Sequence, residues 1–204
     1  ARCVWQRQGN YMVFFPSYRL MEDVLQVYEE EFSVDWVRCV CQTPDMTEQE
    51  REGFLEEFQE REGTLVGFCV LGGIFSEGVD LTGESLIGAV IVGTGLPQIG
   101  SQREILKEYY DKKNHCGFDY AYRYPGMNKV LQAAGRVIRT KEDKGVILLL
   151  DDRFWDRDYQ EIFPREWQDR TGCRLDTVEG AVETFWKRLS LIHISEPTRL
   201  RCIS

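Results

Sequence analysis

Two stretches of this 204-residue chain carry side chains suited to holding an anion. The first is Gln132-Ala133-Ala134-Gly135-Arg136-Val137-Ile138-Arg139. On a helix, at about 100° per residue, Gln132, Arg136 and Arg139 fall within about 60° of one another. Val130, Leu131, Ala134, Val137 and Ile138 gather on the other side. One face is therefore core, and the other presents an amide and two guanidiniums. Two arginines that close repel unless an anion sits between them, and guanidinium forks match phosphate oxygens. Gly135 beside this face allows close approach of a backbone or a ligand. The spacing also fits a surface helix with two solvated arginines. The second stretch is Gly72-Gly73-Ile74-Phe75-Ser76-Glu77-Gly78-Val79-Asp80-Leu81-Thr82-Gly83, which follows an apolar run. Glycines beyond a strand end leave backbone N–H groups able to face phosphates, and open α/β sheets bind ligands at that edge. An ordinary glycine-rich loop fits the pattern as well.

Other candidates fail on chemistry. Gly93-Thr94-Gly95 follows a strand, but Gln98 stands where a dinucleotide fingerprint needs its third small residue, and Pro97 intrudes. Leu148-Leu149-Leu150-Asp151-Asp152 imitates a magnesium-binding strand end, yet no G-x-x-x-x-G-K-[ST] occurs in the chain. With two histidines, His115 and His193, no Ser-His-Asp or Cys-His arrangement is credible. The seven cysteines include no C-x-x-C and have no regular spacing. They read as reduced thiols of a cytoplasmic protein, and no metal site is predicted. His115-Cys116 alone supplies at most two ligands.

The elements that must position these residues follow from periodicity. Continuous apolar runs predict strands over residues 11–15, 35–40, 64–71, 86–92 and 145–150. Helical spacing predicts helices over 19–32, 101–112 and 127–139. Thr47 and Glu50 form a capping-box pattern that opens a helix carrying Phe54, Leu55 and Phe58 inward. Asp176 and Glu179 form a second such pattern, ahead of a stripe of Val178, Ala181, Val182, Phe185, Trp186 and Leu189. Strands alternate with helices and are apolar on both faces. That predicts a mostly parallel sheet with helices on both faces. Residues 190–204 break the pattern. They resemble translated sequencing-adapter read-through and are expected to stand outside a single domain spanning 1–189.

Composition bounds the rest. With 43% hydrophobic and 29% charged residues, general disorder is excluded. The longest apolar stretch, about 12 residues, is too short to span a bilayer. Net charge is −9, but residues 22–62 alone hold 14 acidic and 3 basic side chains. An anion site would therefore lie outside that block, which reads as solvated helix faces. With neither an initiator Met nor a signal-peptide pattern, the chain reads as starting inside a longer protein.

Taken in order, the motifs resemble the second motor domain of superfamily 2 helicases, in the XPD/DinG-like branch. Gly9-Asn10-Tyr11-Met12-Val13-Phe14-Phe15-Pro16-Ser17-Tyr18 is similar to that branch's motif IV, and Ser76-Glu77-Gly78-Val79-Asp80 to motif V. Gln132 through Arg139 matches motif VI, Q-x-x-G-R-x-I-R, followed by Asp143, Gly145 and Asp151-Asp152-Arg153-Phe154. The resemblance covers residues 9–189. It implies an α/β, RecA-like domain that shares an ATP cleft with an N-terminal motor domain. That other domain would supply the phosphate loop, the magnesium-binding acids and any iron–sulfur cysteines. Carried over, Gln132 and Arg136 meet phosphates, and Arg139 is the arginine finger. Gly78, Asp80 and Gly135 line the nucleotide, while Ser17, Tyr18, Ser76 and Glu77 touch single-stranded DNA. The implied protein is an ATP-dependent DNA helicase of which this chain is the C-terminal half, inactive alone. A non-catalytic RecA-like module that binds nucleic acid or protein is the alternative.

Overall fold

A computed structural model describes residues 1–59, 63–75, 85–138, 143–191 and 199–203. Strand β1 (Asn10–Phe15) is flanked on both sides, by β3 (Thr64–Val70) and β4 (Gly88–Val92). Outside them lie β2 (Val37–Cys41) and β5 (Gly145–Leu150). With β6 (Thr171–Gly172) and β7 (Arg199–Ile203) the full order is β2-β3-β1-β4-β5-β7-β6. Every described strand pairing is parallel, with Phe15 opposite Val70, Cys41 opposite Phe68 and Val92 opposite Leu150. Parallel neighbours need crossovers, so helices cover both faces.

Alternation along β1 divides the core. Met12 and Phe14 join one cluster with Phe54 and Phe58 from α2 (Glu48–Glu57) and Met127 and Val130 from α4 (Tyr124–Ala134). Tyr11 and Phe15 join the other, with Met21 from α1 (Tyr18–Glu31) and Val182, Phe185 and Trp186 from α6 (Val178–Leu191). Buried Asn10 ties the layers at the start of β1, its Nδ2 donating to Phe58 O at 2.8 Å and Ser85 O at 3.1 Å. The box at the start of α2 forms as expected: Glu50 N–H donates to Thr47 Oγ1 and Thr47 N–H to Glu50 Oε2.

Several expectations are corrected. The helix expected over 127–139 begins at Tyr124 and ends at Ala134. A π-helical turn, Asp119–Arg123, leads into it. Pro125 follows closely on the π-helical turn, and the Ala121 carbonyl four residues before it accepts instead from Arg103 Nη1 at 2.8 Å. At the far end Arg136 N–H bonds Ala133 O and Val137 N–H bonds Ala134 O, which tightens the chain into a turn. Val137 is driven there by packing on Gly145 of β5. The second capping box is not seen; Arg174 N–H instead donates to Thr177 Oγ1 at 2.8 Å. The tail does not stand wholly apart, because the backbone of 199–203 pairs with β5 as β7. Between 152 and 167 the chain also forms short helical turns, including α5 (Arg157–Gln160), that insert Phe154, Tyr159 and Trp167 into the core.

Two glycines should respond in opposite senses to alanine. A Cβ on Gly67 of β3 would lie 2.6 Å from Phe58 Cζ and 3.1 Å from Phe54 Cζ. Gly67→Ala is expected to cost about 1–3 kcal/mol through overpacking. Gly53, inside α2, has nothing within 4 Å of its would-be Cβ. Gly53→Ala is expected to stabilise by about 0.4–1 kcal/mol. Urea unfolding of both variants checks the pair.

Candidate nucleotide and nucleic-acid sites

The sheet gathers the carboxyl ends of all its strands at one edge. There Ser17 caps α1, its Oγ accepting the Leu20 N–H at 3.3 Å. It remains exposed, as does Arg19, while Tyr18 is half-buried against the core. The first turn of α1 holds no acidic residue, so the positive end of the helix dipole is uncompensated by a carboxylate. Loss of water pushes the Tyr18 phenol above its ordinary value, and a hydrogen bond from Gln42 acts in the opposite direction. Buried Gln42, just past β2, also accepts the Val70 N–H at 3.0 Å. It thereby links the ends of β2 and β3 to Tyr18, a role no motif announced.

The glycine-rich stretch leaves β3 at this same edge. Gly72 has φ +72°, and the stem of Lys129 from α4 lies across it, so that a Cβ would meet Lys129 Cε at 2.9 Å. Phe75 then drops into the core, stacked on Phe54 at 4.1 Å between ring centroids. Ser76, Glu77, Gly78 and Asp80 lie outside the described residues, and so does Arg139. The chain is described again at Ser85, whose carbonyl meets Asn10 at the opposite, amino edge.

Helix α4 makes the same descent. Gly126 packs on Thr94 and Gly95 beyond the carboxyl end of β4, whereas Val137 packs beside Ile87 and Gly145 at the amino ends of β4 and β5. Gln132, exposed, and Arg136, half-buried, therefore stand low on the helix together with Gly135. An apolar pocket of about 280 Å³ opens beside Gly135, Leu131 and Trp167. From Gly126 to Arg136 is about 15 Å at helical rise. The structure thus brings Gln132, Gly135 and Arg136 together and holds them apart from Ser17 and Tyr18. The expectation of an anion site at the carboxyl edge concerned the glycine-rich stretch, of which residues 76–83 lie outside the described ones.

Asp151, at the end of β5, is taken up within the fold. Arg153 Nε and Nη2 donate to its two oxygens at 2.8 and 2.7 Å, and Arg153 N–H to Oδ1 at 2.9 Å. These bonds hold its carboxyl below the usual carboxylate range. The carboxylate caps a helical turn here, as a strand terminus commonly does. Burial pushes the Cys39 thiol up to about 11 and that of Cys3 to about 12, which disfavours thiolate chemistry at either. Among the described residues no group of three or more His, Cys, Asp or Glu is arranged to hold a metal, and no helix is long and apolar enough to cross a membrane.

A parallel sheet clad on both faces, with a Gln–Gly–Arg turn low on one cladding helix, defines a RecA-like α/β domain. The comparisons narrow that class. The family model for the helicase C-terminal domain matches residues 1–170, and the chain belongs to that family. It is 30% identical over 178 residues to a regulator of telomere elongation helicase 1 homolog of Drosophila persimilis, covering 80% of this chain and 17% of that protein. The homolog of Culex quinquefasciatus is 31% identical over 161 residues, covering 72% and 16%. The chain thus spans about a sixth of the length of these relatives. Two solved XPD structures, one a helicase and one an apo form, superpose with TM-scores of 0.60 and 0.62. Each is 24% identical and covers 78% of this chain, with 28% and 32% of the respective structure matched.

The Asp151–Arg153 pair yields a pH test. A folded-state carboxyl pKa below the unfolded value contributes stability that is present above the unfolded value and lost as pH falls through the folded one. Both partners are partly exposed, so the contribution is at most about 1 kcal/mol. Asp151→Asn is expected to be less stable than the parent by up to that amount at neutral pH. The gap should close as pH falls below about 3.9. Urea unfolding across pH reads the difference.

Proposed function

We propose that this chain is the C-terminal half of an ATP-dependent DNA helicase. It would couple ATP hydrolysis, in a cleft shared with an N-terminal motor domain, to translocation along single-stranded DNA. The observation that carries the reading is the separation just described. Hydroxyls, Arg19 and a helix N-terminus gather at the carboxyl edge, a set of groups suited to a strand backbone. An amide and a guanidinium stand low on α4, a set suited to phosphates. Of the glycine-rich stretch, Gly72 stands at the carboxyl edge, while Ser85 beyond it meets Asn10 at the amino edge.

Gln132 and Arg136 would face the nucleotide, with Gly78, Asp80 and Gly135 beside it. Arg139 would be the finger that meets charge developing on the transferred phosphoryl group. Ser17, Tyr18, Ser76 and Glu77 would line the strand. Magnesium and the phosphate loop would come from the N-terminal motor domain, since the chain contains no phosphate-loop pattern. An iron–sulfur cluster, if the full protein carries one, would belong there too. The thiol usage supports a cytoplasmic setting. The lack of a phosphate loop in this chain also suits a second reading, a RecA-like module that binds nucleic acid or protein without turnover.

The two readings part at Arg139. In the complete helicase, Arg139→Ala is expected to lower DNA-stimulated ATPase by ~10³ or more and to leave nucleotide-free DNA affinity nearly unchanged. Arg139→Lys should rescue poorly, since an ammonium lacks the fork. Surviving ATPase with collapsed DNA affinity would remove this helix from the ATP cleft.

A further inference from the structure

Gln42 reaches three elements at once, and its chemistry leaves one orientation. A backbone N–H can only donate, so the amide oxygen must be the atom that faces Val70, at 3.0 Å. The amide nitrogen then faces the Tyr18 hydroxyl, at 2.8 Å, and the phenol oxygen must accept. Gly73 leaves the room in which this amide lies, since a Cβ there would sit 2.8 Å from Nε2 and 3.2 Å from Oε1. At 2% exposure the amide has almost no access to water as a substitute partner. A phenol that accepts from a neighbour keeps its own proton and must send it elsewhere. Among the described residues no acceptor takes it. Ser17 beside it is in the same state, its Oγ accepting from Leu20 N–H and its proton left over.

We propose that Gln42 is a positioning residue that holds Tyr18 as a hydrogen-bond donor toward a phosphate oxygen of single-stranded DNA, next to the donor hydroxyl of Ser17. This rests on the strand reading of the carboxyl edge. Gln42 touches no strand itself. It decides the direction of one proton, and with it whether the edge offers the acceptor-only phosphate two donors or one. A glutamate at this position keeps the shape and still accepts from Val70, but it has no N–H to give. Tyr18 would then turn its proton inward to the carboxylate and present only lone pairs to the strand.

The test measures affinity of the 204-residue chain for a labelled oligodeoxythymidylate by fluorescence anisotropy, at low salt and pH 8, where the introduced carboxylate is ionised. Tyr18→Phe is expected to weaken binding roughly tenfold, the range for a hydrogen bond to a charged group. Gln42→Glu should weaken it comparably, and the double variant should bind no more weakly than either single one. Independent losses in the double variant would mean that the new charge merely repels DNA, and would overturn the proposal. So would unchanged affinity in Tyr18→Phe, a result that does not depend on whether Gln42→Glu folds. A ligand-free readout is the Gln42 side-chain amide proton in NMR, which should move upfield in Tyr18→Phe; a static resonance also overturns it. Ser17→Ala and Arg19→Gln separate the two levels. If they weaken binding and Tyr18→Phe does not, this inference falls alone. If no variant changes affinity, or the chain does not bind DNA, the strand reading falls and takes the inference with it.

Discussion

β1 is hydrogen-bonded on both sides and buried on both faces, and this double burial constrains everything around it. A strand in that position has no edge to offer solvent and no face to leave bare. Its neighbours must run parallel, which forces long crossovers, and the crossovers must be amphipathic helices laid on alternate faces. Met12 and Phe14 call for one layer, Tyr11 and Phe15 for the other. The start of the strand would be a weak point, because backbone carbonyls from two other elements end there. Asn10 answers with a buried amide that donates to Phe58 O and Ser85 O, closing α2 and the approach to β4 onto β1. A buried polar side chain is tolerable when its donors are used in this way.

The same constraint separates the chemistry into two places. All carboxyl ends lie at one edge, so the loops that leave them, carrying Ser17, Tyr18 and the first residues of the glycine-rich stretch, are neighbours. A crossover helix must run back against the strands to reach the next amino end. α4 does so between Gly126 and Val137, and its lower end therefore stands a helix length away from that edge. The stem of Lys129 lies across Gly72, so α4 touches the start of the glycine-rich stretch.

The acidic total of the chain does not contradict the proposed binding of a DNA strand at the carboxyl edge. The excess charge lies in the block 22–62, with ten of its 14 acids on α1 and α2, while the first turn of α1 carries Arg19 and no acid. Donor hydroxyls and a helix N-terminus act at contact distance, where fixed local dipoles outweigh a diffuse and screened net charge.

Periodicity and caps alone determined that this is an alternating α/β chain with five apolar strands, and motif order alone placed it among helicase second motor domains. Those signals are local: apolar runs, the Thr47–Glu50 box, the Gln132 to Arg139 spacing. What only the tertiary structure decided depends on partners distant in sequence. Helix α4 stops at Ala134 because Val137 packs on Gly145, a contact with no trace in the helical pattern. It continues from a π-helical turn through Pro125, whose i−4 carbonyl, Ala121 O, is met by Arg103 from α3 (Ser101–Asn114). Phe154, Tyr159 and Trp167 carry no periodic signal, and the fold turns them inward. Gln42 is the clearest case, an unremarked glutamine after a strand. Its role exists only because β3 brings an N–H and α1 a phenol to its two ends, and hydrogen-bond direction is a property of the assembled site rather than of any segment.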